Sequence, residues 1–481
     1  MDKDRGPRIE DRGSKIDATL DARCSILDPR VAVTSLPAPA YTGESAPQAL
    51  DKVTEEMRWS EGERGPFGRM IPRGARVLIK PNFVLHENQG PWGMDPLVTH
   101  SSLVIAAVEG ALRADPSEVV VGDAPVQGCD FDSLLNVTGL SRWADRLTKL
   151  EPRFKGVRDF RRTTCVFVNG VRIADENRQS EERFVLFDLG RDSLLEPVTD
   201  GRDSFRVTCY DPRLLAKTHA PGRHQYLVAK EVIEADVIIN LPKLKTHKKA
   251  GVTCALKNLV GINGNKEYLP HHRIGGSRAG GDCYPDYNPL KRAMEYVADR
   301  LNTTSSFAQV RVWNGVGRQL QRALWLTGDQ LGVEGSWSGN DTVWRMCLDL
   351  NRILLYGRPD GSFGDWPQRR VLHVADAVVA GQGDGPLAPQ PLPLGLILAG
   401  NNAAAVDWVG AHLLGYDPRL VPLVREAFGE FHWPVASFAP NEIVLAGDWK
   451  AGAADQVFRE RENPAPVIHP VGWRDAARAA L

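Results

Sequence analysis

ADVIINLPKLKTHKKAGVTCALKNLVGI (residues 235–262) is the stretch whose reading decides the fold. Its opening, ADVIINLP (235–242), is a short continuous apolar run rich in β-branched residues and bounded by Pro242. Such a run predicts a strand covered on both faces, as in a parallel sheet held between helices. A polar loop follows, and then a short helix near 251–260. Val252, Ala255, Leu256 and Leu259 recur there at helical spacing, with Gly261 at the position of a C-terminal cap.

Moving outward, ARVLIK (75–80) and SEVVVGD (117–123) are two more strands of the same buried type. Between them SSLVIAAVEGALR carries Leu103, Ala106, Ala107 and Leu112 on one helical face, with Thr99 and Ser101 offering N-cap oxygens. Strand, helix, strand in that order implies a right-handed parallel crossover. RVLHVADAVV (370–379), PLGLILAG (393–400) and the helix through AAAVDWVGAHLLG resume the α/β pattern. The expected fold is therefore α/β and Rossmann-like, a mainly parallel sheet flanked by helices and carrying two insertions. Its expected parts are an N-terminal arm (1–60), a first α/β unit (61–150), a β-rich insertion (151–230), a central basic unit (231–285), a mainly helical insertion (286–366), a closing α/β unit (367–450) and a tail (451–481). The β-rich insertion is marked by CVFVNGVRI, an Asn-Gly turn between alternating apolar positions.

In open parallel sheets ligands bind beyond the carboxyl ends of the strands. Those ends here carry Lys80 and Asn82, then Asp123, then Asn240, Lys243, Lys245 and His247, with Asp376 closing a fourth run. The 240–273 segment holds six lysines and one arginine against a single acid, Glu267. These lysines are interleaved with Leu, Pro, Gly and Val rather than polar filler, so a local positive pocket is expected rather than a solvated face. On the expected helix Thr253, Cys254, Lys257 and Asn258 lie opposite the apolar stripe, with Thr253 and Lys257 four apart and so on one face. The loop before it would set His247 near a helix N-terminus, which favours an anion. His271, His272 and Asp282, with His247, are candidate metal ligands, since imidazole and carboxylate suit several transition metals. No spacing template for a metal is met. GQGDGPL (381–387) is glycine-rich but matches neither a dinucleotide fingerprint nor a Walker A loop; WSGNDTVWR (337–345) reads equally as an aromatic-walled loop or a packing turn.

Composition narrows the function classes. Formal charge is −1, with 59 basic and 60 acidic residues, so no global field draws nucleic acid or an anionic membrane. The seven cysteines lack C-x-x-C spacing, which excludes a ferredoxin-type iron–sulfur motif and a zinc ribbon. No signal-peptide core opens the chain, and no apolar run approaches the roughly 20 residues of a membrane helix, so a reducing cytoplasm is expected. The expected partner is an anionic small molecule; nothing in the chain sets its oligomeric state.

VLIKPNFV (77–84), the pair Thr99-His100, VVVGDAP (119–125) and above all 235–262 resemble the domain-of-unknown-function family 362, as do GQGDGPL and AVDWVGAHLLGYD. That resemblance implies a fold without naming an activity. Some members of that family look like fusions to ferredoxin modules, a role this cysteine pattern does not carry over. More distantly, His247, Ala250, Gly251 and Lys257 are similar to a stretch of the nickel-pincer lactate racemases, although the glycine pair before the lysine is absent. That likeness implies His247 as an acid/base, His100 as its second histidine, and Lys257 as the holder of a nucleotide-derived cofactor. Two functions are thus in play. One is an isomerase- or racemase-like enzyme, with Lys243, Lys245 and Lys257 holding a carboxylate or phosphate while His247 and His100 move a proton. The other is a non-catalytic module binding an anionic ligand or a partner protein.

Overall fold

A computed structural model describes residues 22–168, 171–304, 306–460 and 466–477. Eleven strands of the described chain form one mixed sheet. In chain order they are β1 (Arg30–Ser35), β2 (Arg76–Pro81), β3 (Glu118–Asp123), β4 (Phe154–Asp159), β5 (Val237–Leu241), β6 (Lys243–His247), β7 (Gly251–Thr253), β8 (Arg370–Asp384), β9 (Ala388–Gly400), β10 (Val444–Gly447) and β11 (Gly452–Ala453). Across the sheet the order is β11-β10-β1-β9-β8-β5-β2-β3-β4, with β6 paired to β8 and β7. The run β8-β5-β2-β3-β4 is parallel throughout, while β8 with β9 and β9 with β1 are antiparallel. The α/β, mainly parallel architecture is as expected.

The strands alternate between two cores. Val77, Ile79, Val237 and Ile239 pack on one side with Leu103, Val104 and Ala107 of helix Ser101–Arg113. Leu78, Ile238 and Val371 face the other side with Leu256, Ile353 and Val406. Both faces are covered there, which is why the cores of β2, β3 and β5 read as unbroken apolar sequence.

Several expectations are corrected. The N-terminal region from Arg30 is no arm: β1 sits inside the sheet between β9 and β10. Its proline-rich surroundings hid the short VAV core. The Lys243–His247 segment is a strand rather than a loop, continuing past Pro242 alongside β8 and pairing back with β7. The helix near 251–260 shrinks to Ala255–Asn258 followed by a 3-10 turn, Leu259–Ile262. Gly261 lies in that turn; a Cβ there would stand 1.9 Å from Asp123 Oδ1. Glycine is required by that close approach, not by a left-handed cap. Neither Thr99 nor Ser101 caps helix Ser101–Arg113; His100 does, its Nδ1 accepting from Ser102 N–H at 3.2 Å. The Thr99 hydroxyl instead accepts from Asn82 N–H and donates to the Leu241 carbonyl, tying β2 to β5.

Thr163–Val168 and Val171–Asn177 pair as the antiparallel arms of the expected hairpin, while its Asn-Gly turn lies outside the described residues. The 286–366 region is mainly helical, with helices Pro289–Thr303, Phe307–Leu326 and Val343–Tyr356. No helix among the described residues is long and apolar enough to cross a membrane.

Candidate functional site

The carboxyl ends of β2, β3 and β5 meet as the pattern of polar residues implied. Lys80 Nζ sits 2.7 Å from Asp123 Oδ1, both side chains essentially fully buried. The carboxylate also accepts from the backbone N–H of Phe83 at 2.6 Å and of Ala124 at 2.9 Å. Burial pulls the lysine down and pushes the carboxyl up, outweighing their mutual attraction in both. Asn258 joins the strands: its Oδ1 accepts from Asn82 Nδ2 at 2.9 Å and from Lys80 Nζ, and its Nδ2 donates to Asn240 Oδ1 at 2.7 Å. Asn240 in turn reaches the Ala255 carbonyl and His373 Nδ1. This is a buried, nearly saturated polar platform, and such networks rigidify what they hold.

Over it opens a cavity of about 170 Å³. Asn82, Asp123, Lys245, His247, Thr253, Lys257 and Asn258 line it, all from the expected set, and His271 joins them. Two buried polar atoms on this wall, Asn82 Oδ1 and Thr253 Oγ1, have no hydrogen-bond partner among the described residues. Lys257 makes no hydrogen bond or ion pair with another described residue, so its ammonium is free for an anion. Lys245 is buried and donates to the Leu97 carbonyl. Burial and the nearby Lys243 and Lys257 hold its amine well below the usual lysine range. The other cations at the wall are committed: Arg161 pairs with Asp159 and donates to three carbonyls, and Lys266 donates to the Thr208 carbonyl.

The two histidines show opposite faces. His247 Nδ1 accepts from the backbone N–H of Lys249 at 3.0 Å and of Ala250 at 3.1 Å, so the neutral ring carries its proton on Nε2. His271 Nδ1 lies 2.7 Å from the Leu269 carbonyl, which can only accept; its proton is on Nδ1 and its Nε2 carries the lone pair. Burial, with Lys257 and Lys249 among the neighbouring positive charges, keeps both rings neutral, well below the ordinary imidazole value. His247 and His271 both line the cavity, and their Nδ1 contacts leave an Nε2–H on the first ring and an Nε2 lone pair on the second.

Other expected residues lie elsewhere. Lys243 does not reach the cavity: it is buried against Asp376 at 2.7 Å and Tyr41 Oη at 2.7 Å. His100 is a helix cap stacked on Tyr41, with ring centroids 3.7 Å apart, and its N–H donates to Asp376. The expected anion site at the helix N-terminus is taken by the chain itself, since Leu256 N–H points at the carboxylate of Asp407. Burial raises that carboxyl to about 7. His272, on the short strand His272–Arg273, does not line the cavity, and Asp282 is saturated by Thr342, Asp341 and Arg273. No group of three or more His, Cys, Asp or Glu among the described residues is placed to hold a metal ion. A nucleotide-derived group at Lys257 rests on the distant resemblance alone.

A family model described as "Domain of unknown function (DUF362)" matches residues 171–412, half of the chain. A thylakoid-associated protein of Synechocystis sp. is 23% identical over 231 residues, covering 46% of this chain and 48% of that protein. The chain thus matches about half the length of this curated relative. Two solved structures are similar at a TM-score of 0.31. One is a Thermotoga maritima protein, 11% identical, covering 75% of this chain and 55% of that one. The other is the lactate racemase apoprotein of Thermoanaerobacterium thermosaccharolyticum, 10% identical, covering 82% and 58%. Likeness of that degree assigns neither substrate nor reaction.

Proposed function

Because the chain belongs to the DUF362 family, whose name assigns no reaction, we propose from the site alone that it is an enzyme moving a proton on a small carboxylate. The observation that carries this reading is the pair of opposite tautomers converging on one cavity. Lys257, with the Thr253 hydroxyl, holds the anion. His271 Nε2 accepts the proton from the carbon next to the carbonyl or carboxylate. His247 Nε2–H donates a hydrogen bond to the oxygen on which charge develops, an electrostatic role that needs no proton transfer of its own. The proton-moving role thereby passes from His247 and His100 to His271. Charge supports the assignment: Lys257 is one of the cations suppressing His271, and a bound anion neutralises it. The substrate's own charge would restore the base's strength. Return of the proton to the other face or to a neighbouring carbon makes the reaction a racemisation or an isomerisation.

The test is exchange of solvent deuterium into a panel of 2-hydroxy and 2-oxo acids, followed by proton NMR, beside ligand-induced thermal shifts. His271→Gln should abolish exchange while binding persists. His247→Gln should slow it by about 100-fold, the worth of one preorganised donor. A carboxylate that binds but never exchanges in the wild-type protein makes this a binding module, and exchange surviving in His271→Gln removes the assigned base.

A further inference from the structure

The helical hairpin of Pro289–Thr303 and Phe307–Leu326 stands outside both cores, and its second helix is nearly bare. Of its 20 residues only Leu324 is buried. Trp313 meets Tyr296 edge-on at 5.7 Å, and a Cβ at Gly317 would stand 3.5 Å from Val297 Cγ1, so one side leans on the first helix. The rest faces outward with large apolar groups: Phe307 is 74% exposed, Val312 62%, Trp325 76% and Leu326 78%.

Its charge is one-sided. Phe307–Leu326 contains Arg311, Arg318 and Arg322 and no acidic residue. The arginines recur at i, i+7 and i+11 and so share a stripe, and none makes a hydrogen bond or ion pair with another described residue. Phe307 and Trp325, eighteen residues apart, bound the same stripe at either end, about 27 Å apart along the axis. Val312, Val316 and Ala323 form the adjoining apolar stripe by the same spacing. A helix seated in a protein groove shows apolar anchors at i, i+3, i+4 and i+7. Here arginines lie between terminal aromatics, beside an apolar strip. That is the pattern of a helix lying in the plane of a bilayer surface, where aromatic and aliphatic groups enter the headgroup boundary and arginines reach lipid phosphates.

We infer that Phe307–Leu326 docks the protein onto an anionic lipid surface. The near-zero net charge of the whole chain does not oppose this, because the interaction is set within a Debye length of the helix. Binding does not span the membrane and leaves the cavity untouched.

The experiment is co-sedimentation of the full chain with phosphatidylcholine vesicles with and without phosphatidylglycerol. The wild-type protein should partition onto the anionic vesicles alone, less so in high salt. Arg311→Gln/Arg318→Gln/Arg322→Gln should weaken partition by about 100-fold, since each surface arginine contributes about fivefold. Phe307→Ser/Trp325→Ser/Leu326→Ser should weaken it independently; all six side chains are exposed or free, so circular dichroism and melting should be unchanged. Failure of the wild-type protein to sediment with anionic vesicles overturns the inference, as does sedimentation that both variants retain. A solution dimer that the Ser variant disperses would give the face to a second copy instead.

Discussion

Lys80→Met tests whether the platform beneath the cavity is scaffold or ligand holder. Lys80 and Asp123 are buried together at 2.7 Å, so removing the ammonium leaves a buried carboxylate with no cation beside it. Losing one partner of such a pair costs about 3–5 kcal/mol. Asp123 keeps the N–H groups of Phe83 and Ala124, which places the expected loss near the lower end, about 3 kcal/mol.

The pH dependence gives the sign. The carboxyl of Asp123 is already raised by burial, and Lys80 is what opposes the rise. Without Lys80 it rises further, so the folded variant binds a proton that the unfolded chain has released. The penalty is then absent below the unfolded carboxyl value and grows as pH rises through the folded one. Asp123→Asn should show the mirror image. Burial already lowers Lys80, and loss of Asp123 lowers it more, so that variant should regain stability as pH rises toward the unfolded lysine value. Urea unfolding of both variants across the pH range reads the slopes. Parallel slopes, or a Lys80→Met/Asp123→Asn double variant as unstable as the two singles summed, would refute the reasoning. In the double variant no charge is left to bury, and stability should return to near the wild type.

Two further outcomes are expected. Asp407, fully buried with its carboxyl raised to about 7, should cost stability progressively from about pH 4 to pH 7, up to about 4 kcal/mol in all, and Asp407→Asn should flatten that stretch of a melting-against-pH curve. Thr253→Val removes a buried hydroxyl that has no partner among the described residues, so melting of the ligand-free protein should hold or rise while titration calorimetry shows carboxylate binding weakened by about 10-fold; a lower melting temperature with unchanged affinity would make that hydroxyl structural.

What could be read in the chain and what could not divide along one physical line. Strands such as VLIK and DVIIN are legible because burial on both faces leaves no room for polar alternation, and the residues that follow them mark where those strands end. The edge that carries the candidate site follows from that, and Asn82, Asp123, Lys245, His247 and Lys257 line one cavity there. The state of each group does not follow. Lys243, Lys245 and Lys257 look alike in sequence, yet Lys243 is neutralised by Asp376, 133 residues away, Lys245 is buried against a carbonyl, and only Lys257 stays free. No local pattern encodes which lysine meets a distant acid, because β8 lies beside β6 only once the sheet has assembled. The same holds for the histidines. His271 differs from His247 in what its Nδ1 meets, one carbonyl against two N–H groups, and these contacts invert what the far nitrogen of each ring offers. Residue type and spacing can nominate a histidine for proton transfer, but the backbone group facing its far nitrogen decides whether it gives or takes.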